Sequence, residues 1–417
     1  MSFEEWKEYI FSDFVDINPT IKLDSKKEYS FIEMKDLEDG KKFAYPSSKQ
    51  KASGGARFQN SDTLFARITP CLENGKICQA SNLENGIGFG STEFLVFRGK
   101  KEISDTEFIF YLSRWDEVRK FAEQNLVGTS GRQRVGKEAF QNLVLNLPPL
   151  PTQRRIASIL SSLDEKIELN RQTSQTLEAI AQAIFKEWFV DFNFPGATGD
   201  MQESELGEIP KGWRVASLNE IITVTHGYAF KGEYFSDEET EDVLLTPGNF
   251  KIGGGFNYSK LKYYNGDFPK SYVLNRGDVI VTMTDLSREG DTLGYSALVP
   301  EIIGKKLLHN QRIGKVVFKK RHFHSFIYLL MQQESYRNFI LGGATGSTVR
   351  HTSPSRICEF QFVLPDKEVL EQFEITIGAF FDLIESNQQQ IQSLIQLRDS
   401  LLPKLMKGEI DLNSQTA

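Results

Sequence analysis

Apolar residues between Thr152 and Trp188 recur at alternating steps of four and three. The series is Ile156, Leu160, Leu163, Ile167, Asn170, Ser174, Leu177, Ala181, Ile184 and Trp188, with Asn170 and Ser174 as polar interruptions. This heptad spacing holds for more than four heptads. It predicts one helix of roughly 35 residues, roughly 50 Å long at about 1.5 Å per residue. Pro148, Pro149 and Pro151 punctuate the chain just ahead, where a helix can begin. So long a stripe needs a long partner. A second segment, Val369 to Leu402, supplies one. Phe373, Ile377, Phe380, Ile384, Asn387, Ile391, Leu394, Arg398 and Leu401 keep the same steps, and Leu405 extends them.

The two segments are copies. Leu147-Pro148, Ile167, Glu168, Asn170, Gln172 and Leu177 return 217 positions later as Leu364-Pro365, Ile384, Glu385, Asn387, Gln389 and Leu394. The gapless echo marks a duplicated unit, a globular region followed by a helix, twice over. An intramolecular antiparallel helix pair is expected, because the chain passes through a whole domain between the helices. The alternative is that each helix packs on its own domain only. Asn170 and Asn387 fall at matching core-like positions, where a polar residue fixes register at a cost in stability. Arg398 weakens the seam, and Pro403 is expected to disturb the helix end.

The rest of the chain reads as mixed strand and helix. Residues 1–150 form a first domain with strands over 63–68, 94–97 and 143–147. Asn74-Gly75 and Asn85-Gly86 favour tight hairpins. One helix is predicted over 105–123 from Phe108, Tyr111, Leu112, Trp115, Val118 and Phe121. A basic loop follows over 128–134. Residues 151–192 are the central helix, 193–212 a Gly/Pro linker, 213–365 a second domain, 366–410 the C-terminal helix and 411–417 a tail. In the second domain NRGDVIVTMT (Asn275 to Thr284) lines up with NSDTLFARIT (Asn60 to Thr69), and a helix is predicted over 326–339. The fold class is α+β: two mixed α/β domains separated by two long helices packed as an antiparallel coiled coil.

Composition narrows the function. A chain of 417 residues exceeds one ordinary core. Cys71, Cys78 and Cys358 form neither an even framework nor a zinc spacing, and read as reduced intracellular thiols. No basic-then-apolar leader and no 18-residue apolar run is visible, so a cytoplasmic location without a membrane partner is expected. The net charge of −7 argues weakly against nucleic acid, but the charge is segregated. Residues 305–324 hold seven Lys/Arg and no Asp/Glu, and 41–79 hold seven basic and two acidic residues.

Phosphate neutralisation needs Lys or Arg, and base reading favours Arg, Lys, Asn and Gln. The DNA-binding candidates in the first domain are Lys49, Lys51, Arg57, Arg67 and Lys76, with Arg132 and Arg134 in the late loop. In the second they are Lys305, Lys306, Gln311, Arg312, Lys315, Lys319, Lys320 and Arg321, with Arg350 in a late loop beside Ser347, Thr348 and His351. A solvated charged face is the plain alternative. Catalytic signals are missing. The run from Gly342 to Ser347 has the glycines of a phosphate loop but no Lys in place. Asp16-Ile17-Asn18-Pro19 lacks the second Pro and the aromatic of an amino-methyltransferase signature and reads as a turn. His322 and His324 would share a strand face, without a third metal ligand. No catalytic residue, metal or cofactor is expected.

One run, LPPLPTQRRIASILSSLDEKIELNRQ (Leu147 to Gln172), resembles the central region of the specificity subunits of type I restriction-modification enzymes. GEIPKGW (Gly207 to Trp213) resembles the start of their target-recognition domains. RGDVIVTMT (Arg276 to Thr284) resembles their strand motif, and RDSLLPKLMKGEI (Arg398 to Ile410) their C-terminal repeat. The first domain departs from the pattern: it starts at Glu4-Glu5-Trp6, and RGDVIV is degraded to SDTLFA. The resemblance implies a non-catalytic subunit with two target-recognition domains, each binding one half of a split asymmetric site in double-stranded DNA. The helices would set the spacer and dock two DNA adenine methyltransferase subunits, and motor-nuclease subunits would join the full complex. Arg154, Arg155, Trp188, Phe189 and Arg398 are the partner-binding candidates, although Trp188 and Phe189 could equally close the seam. Two other classes compete. A scaffold or decoy would bind the methyltransferase without specific DNA binding. A free-standing methyltransferase would need a cofactor loop, which is absent.

Overall fold

The computed structural model describes residues 6–129, 131–319, 323–346, 349–410 and 412. Both heptad segments are single helices, Leu150–Phe189 and Lys367–Met406. The chain divides into two compact units, Met1–Leu169 with Ser393–Ala417, and Asn170–Gln392. Each unit therefore combines one globular domain with part of both long helices.

In the first unit, one sheet has the order Val15–Ile17, Phe94–Gly99, Thr63–Ala66, Ile77–Ala80, Phe43–Ala44. The other runs Ser48–Lys51, Glu28–Ile32, Ile87–Gly90, Ala56–Gln59. Thr63–Ala66 and Ile77–Ala80 are buried at every position, so they read as continuous apolar runs and not as alternating ones. Lys7–Ile10 pairs antiparallel with Val144–Leu147, which feeds the first long helix. The core around Phe11, Phe65, Phe97, Phe108 and Tyr111 packs on Ile156 and Leu160 of that helix and on Leu405 and Met406 of the second.

The second unit repeats the plan. One sheet runs Ile222–His226, Ile313–Phe318, Val279–Thr282, Ser296–Leu298, and another runs Phe235–Ser236, Lys262–Tyr264, Asp242–Leu245, Lys306–His309. Arg214–Ser217 pairs with Gln361–Leu364, answering the terminal pair of the first unit. The core gathers Trp213, Phe326 and Tyr336 with Phe185, Phe189, Phe373 and Ile377 of the helices.

Within each unit the helices pair antiparallel. In the first, Asp164 meets Arg398 while the earlier Ile156 and Leu160 share a core with the later Leu405. In the second, Asn170 donates to Gln390 at 2.7 Å, Asn387 to Ser174 at 3.3 Å, and Phe189 meets Phe373 with ring centroids 4.7 Å apart. Asn170 and Asn387 thus both find partners across the pair. Each bonds a polar side chain of the opposite helix, and that reciprocal crossing sets the register.

Five details depart from the sequence expectation. The predicted helix over 105–123 is two helices, Thr106–Arg114 and Asp116–Gln124, split where Trp115 is extended (φ −66, ψ 137). The second domain breaks likewise into His324–Leu330 and Glu334–Gly342, with Gln333 extended (φ −70, ψ 147). Apolar spacing survives such a break because Phe108 and Val118 are buried on either side of it. Residues 193–212 are more than a linker: Met201–Ser204 and Gly207–Pro210 form a hairpin, and Phe194 stacks on Trp213 at 4.7 Å. Pro403 does not end the second helix. It lies in the last turn of the helix, and Leu405 and Met406 beyond it are buried.

Arg398 is the fifth departure. It is only 3% exposed, so it offers no outer surface to a partner. Its guanidinium binds Asp164 at 2.6 Å and donates to the Gly40 carbonyl at 3.1 Å. The Tyr111 hydroxyl donates to the other Asp164 oxygen at 2.8 Å. Beside it, buried Lys42 reaches Glu107 at 2.8 Å and Ser161 at 2.9 Å. In the duplication Asp164 and Arg398 correspond to Phe381 and Ala181, and both of these belong to the apolar core of the second unit.

Removing one member of a buried pair leaves the other charge uncompensated. Asp164→Asn or Arg398→Met alone should therefore lower stability by about 3–5 kcal/mol in urea unfolding. The double variant should lose less than the sum, with a coupling of about 0.5–3 kcal/mol. Additive losses would show that the two side chains do not act as a pair.

Candidate nucleic-acid interface

Both domains are built on one electrostatic frame. At the start of the buried strand Thr63–Ala66, the Asp62 carboxylate accepts from the Gln59 amide at 2.8 Å and binds Arg98 at 2.6 Å. Before Val279–Thr282, Asp278 accepts from the Asn275 amide at 2.8 Å and binds Lys315 at 2.6 Å. Burial pushes the Asp62 carboxyl up, and the Arg98 hydrogen bond opposes that rise. Lys315 thus stands in the place of Arg98 and is committed to the frame.

The far ends of these strands hold the late loops. Val127 and Arg134 exchange backbone hydrogen bonds, and the Val135 amide donates to the Arg67 carbonyl at 2.9 Å. In the second domain Thr345 and His351 make the same exchange, and the Thr352 amide donates to Met283 at 3.0 Å. The structure therefore brings the late loop and the strand end together in both domains.

In the first domain a cleft of about 400 Å³ is lined by Asn18, Gly55, Arg57, Arg67 and Thr92 among others. Gly55 has φ +127, and a Cβ there would lie 2.1 Å from the Gly90 carbonyl oxygen, so only glycine lets this wall close. Arg57 is exposed and donates to the Ile21 carbonyl at 3.1 Å. The Nε of Arg67 is buried without a hydrogen-bond partner. Arg132 is exposed on the loop, while Arg134 forks onto Glu93 at 2.6 to 3.0 Å. Lys49 and Lys51 are exposed on Ser48–Lys51, with Lys49 paired to Glu84 at 2.9 Å. Lys76 is tied to the Met34 carbonyl at 2.9 Å.

In the second domain the basic run is largely neutralised. Lys305 pairs with Glu239 at 2.6 Å and Lys306 with Glu241 at 2.6 Å. The cause is the parallel pairing of Asp242–Leu245 with Lys306–His309, which lays the acidic segment alongside the basic one. Lys319 donates to the Asn219 carbonyl, and Arg350 to the Arg288 carbonyl at 3.1 Å. Gln311 and Arg312 are exposed. Lys320 and Arg321, with His322, Ser347 and Thr348, lie outside the described residues. His324 heads a helix and not a strand, with Nε2 at 2.7 Å from the Gly277 carbonyl. Sequence reasoning missed Phe235, Lys260, Lys262 and Leu286, which line a cleft of about 400 Å³ together with Gln311 and Arg312. An apolar Leu286 within a polar loop was the one available signal.

Of the partner-binding candidates, Arg154 and Arg155 are exposed, with Arg154 at 3.7 Å from Asp105. Trp188 is half-buried against Phe373, and Phe189 is buried among Trp213, Phe326 and Phe373. Among the described residues no three His, Cys, Asp or Glu gather as a metal site, and no helix is long and apolar enough to cross a membrane. Burial pushes the Cys78 thiol up to about 11, which suits a core residue and not a nucleophile.

Residues 3–179 match the family model described as the type I restriction modification DNA specificity domain. The chain is 26% identical to the type I restriction enzyme HindI specificity subunit of Haemophilus influenzae, over 97% of this chain and 100% of that one. It is 26% identical to the MjaIX specificity subunit of Methanocaldococcus jannaschii, covering 73% and 69% of the two chains. Identity to the EcoAI specificity subunit of Escherichia coli is 24%, covering 87% and 75%. The solved type I restriction-modification S subunit from M. genitalium shares the fold at 13% identity, with a TM-score of 0.52 over 96% of each chain.

Hydrogen bonds from Arg134 hold the Glu93 carboxyl below its ordinary value of 4.5. A depressed folded value means the anchor contributes fully above 4.5 and is lost as pH falls through the folded value. Corrected for intrinsic rates, amide exchange at Val127 and Arg134 should accelerate on acidification below that point. Glu93→Gln should already exchange fast at neutral pH. Equal protection in the two proteins at neutral pH would remove Glu93 as the anchor of the loop.

Proposed function

Because this chain belongs to the DNA specificity subunits of type I restriction-modification systems, we propose that its two domains each read one half of a split, asymmetric site in double-stranded DNA. The observation that carries this reading is one frame with two different linings. The Asp62–Arg98 and Asp278–Lys315 pairs and the two late loops repeat. The side chains presented around them differ, as two unrelated half-sites require. The chain supplies recognition, while a DNA adenine methyltransferase supplies the reaction and motor-nuclease subunits complete the assembly.

In the first domain Lys51, Arg57, Arg67 and Arg132 are the best placed for DNA, with Lys49 and Arg134 available after exchange of their carboxylate partners. Lys76 stays with its carbonyl. In the second, Lys315 holds the frame, Lys305 and Lys306 are paired with Glu239 and Glu241, and Gln311, Arg312, Lys319 and Arg350 face DNA. Two methyltransferase subunits dock along the long helices, with Arg154, Arg155 and Trp188 as the candidate contacts. Phe189 and Arg398 act from the interior.

Genome-wide mapping of adenine methylation by the assembled complex tests the reading. It should return one bipartite motif with two unrelated halves at fixed spacing. Insertion of one heptad in each long helix adds about 10 Å and should lengthen the preferred spacer by about three base pairs. Methyltransferase binding without any preferred motif would reduce the chain to a scaffold. An unchanged spacer would remove the ruler role from the helices.

A further inference from the structure

We propose that the cleft bounded by Lys260, Lys262, Leu286, Gln311 and Arg312 is where the second domain reads base edges in the major groove. This rests on the DNA-recognition reading above and deepens it. Three observations carry it.

The first is where cationic charge remains available. Lys305, Lys306 and Lys315 all have carboxylates at 2.6 Å. Among the described residues, no carboxylate lies within ion-pair distance of Lys260, Lys262 or Arg312, and all three line the same cleft of about 400 Å³. Cations without internal partners are the ones able to release counterions from DNA.

The second is rigidity. Gln311 and Arg312 sit in the turn between Lys306–His309 and Ile313–Phe318. The turn is pinned throughout. The Gln311 amide donates to Tyr228 at 3.0 Å and the Arg312 amide to the Asn310 side chain at 2.9 Å. The Ile313 amide donates to Asn310 at 3.0 Å, and the Arg312 carbonyl accepts from Met283 at 3.0 Å. Gly227 permits this close approach, since a Cβ there would lie 2.3 Å from the His309 carbonyl oxygen. The pinned backbone fixes the points from which the amide and guanidinium extend, so binding costs only the rotamer freedom of the side chains themselves.

The third is an apolar residue displayed to solvent. Leu286 is 67% exposed and Phe235 is 46% exposed at the same cleft. Leu286 is held on a built loop. The Asp285 carboxylate accepts from the Ser287 amide at 2.7 Å and from the Thr292 hydroxyl at 2.7 Å. Those bonds keep the carboxyl below its ordinary range against the opposing effect of burial. A leucine fixed in the open beside cations and an amide fits a thymine methyl group. In this arrangement Lys260 and Lys262 neutralise phosphates. Gln311 and Arg312 form paired hydrogen bonds with a purine edge, and Leu286 meets a methyl.

The test uses the full chain assembled with its methyltransferase and a randomised split-site duplex library, read by selective methylation. Arg312→Ala and Gln311→Ala should each relax one or two positions of one half-site by about 5- to 100-fold and leave the other half-site unchanged. Arg312→Lys keeps the charge but not the fork, so it should retain affinity and lose discrimination. Lys260→Ala and Lys262→Ala should weaken binding evenly across sequences and flatten the salt dependence by about one unit each. Unaltered motifs in both Arg312 variants and the Gln311 variant, with thermal unfolding as in the parent, would overturn the cleft while leaving DNA recognition intact. Absence of any motif in the unaltered complex would overturn the DNA reading itself.

Discussion

The molecule depends on the mutual covering of two apolar helix faces. A helix of 40 residues gains most of its stability from packing, not from propensity. In the first unit Ile156 and Leu160 are covered by the domain core and by Leu405 and Met406. In the second, Phe185 and Phe189 are covered by Phe373, Phe326 and Trp213. The covering helix comes from far along the chain. Closure entropy grows only with the logarithm of the intervening length, about 0.6 kcal/mol per doubling, so an entire domain between the helices is tolerated.

A duplicated pair of helices invites confusion between its two halves. The structure answers with asymmetry inside each unit. Asp164 and Arg398 place a charge pair in the first, where the second has Phe381 and Ala181. A buried pair of this kind adds little net stability against an apolar alternative. Its consequence is selectivity, because an apolar partner opposite either charge would leave it stranded. The Asn170–Gln390 and Asn387–Ser174 bonds work in the same direction, since a slipped register would bury amides without partners.

The architecture was legible in the sequence wherever period carried the signal. Heptad spacing marked both long helices, and the 217-residue echo marked the duplication. Period could not show the break at Trp115 or at Gln333, because one extended residue leaves the buried positions in place. It also misjudged Arg398, which reads as a seam defect until Asp164, Tyr111 and Gly40 surround it. The basic run was legible as charge but not as availability. Lys305 and Lys306 meet Glu239 and Glu241 only because two strands more than 60 residues apart pair in parallel.

That last point explains why recognition residues are the hardest to read from sequence. A frame repeats because its geometry has few solutions: an aspartate closing the turn before a buried strand, a cation on the neighbouring strand, a late loop across the strand end. Recognition residues obey no such constraint. In the arrangement proposed for the second domain, they are the cations left over once internal carboxylates are assigned, and the apolar side chains that no core has claimed. Lys260 and Lys262 stand apart from the densest basic segment, and Leu286 belongs to no heptad. Only the fold sets them beside Gln311 and Arg312 on a pinned turn. Half-site preference can therefore drift while the frame stays fixed, because the linings change without disturbing Asp278, Lys315 or the helices that carry the domain.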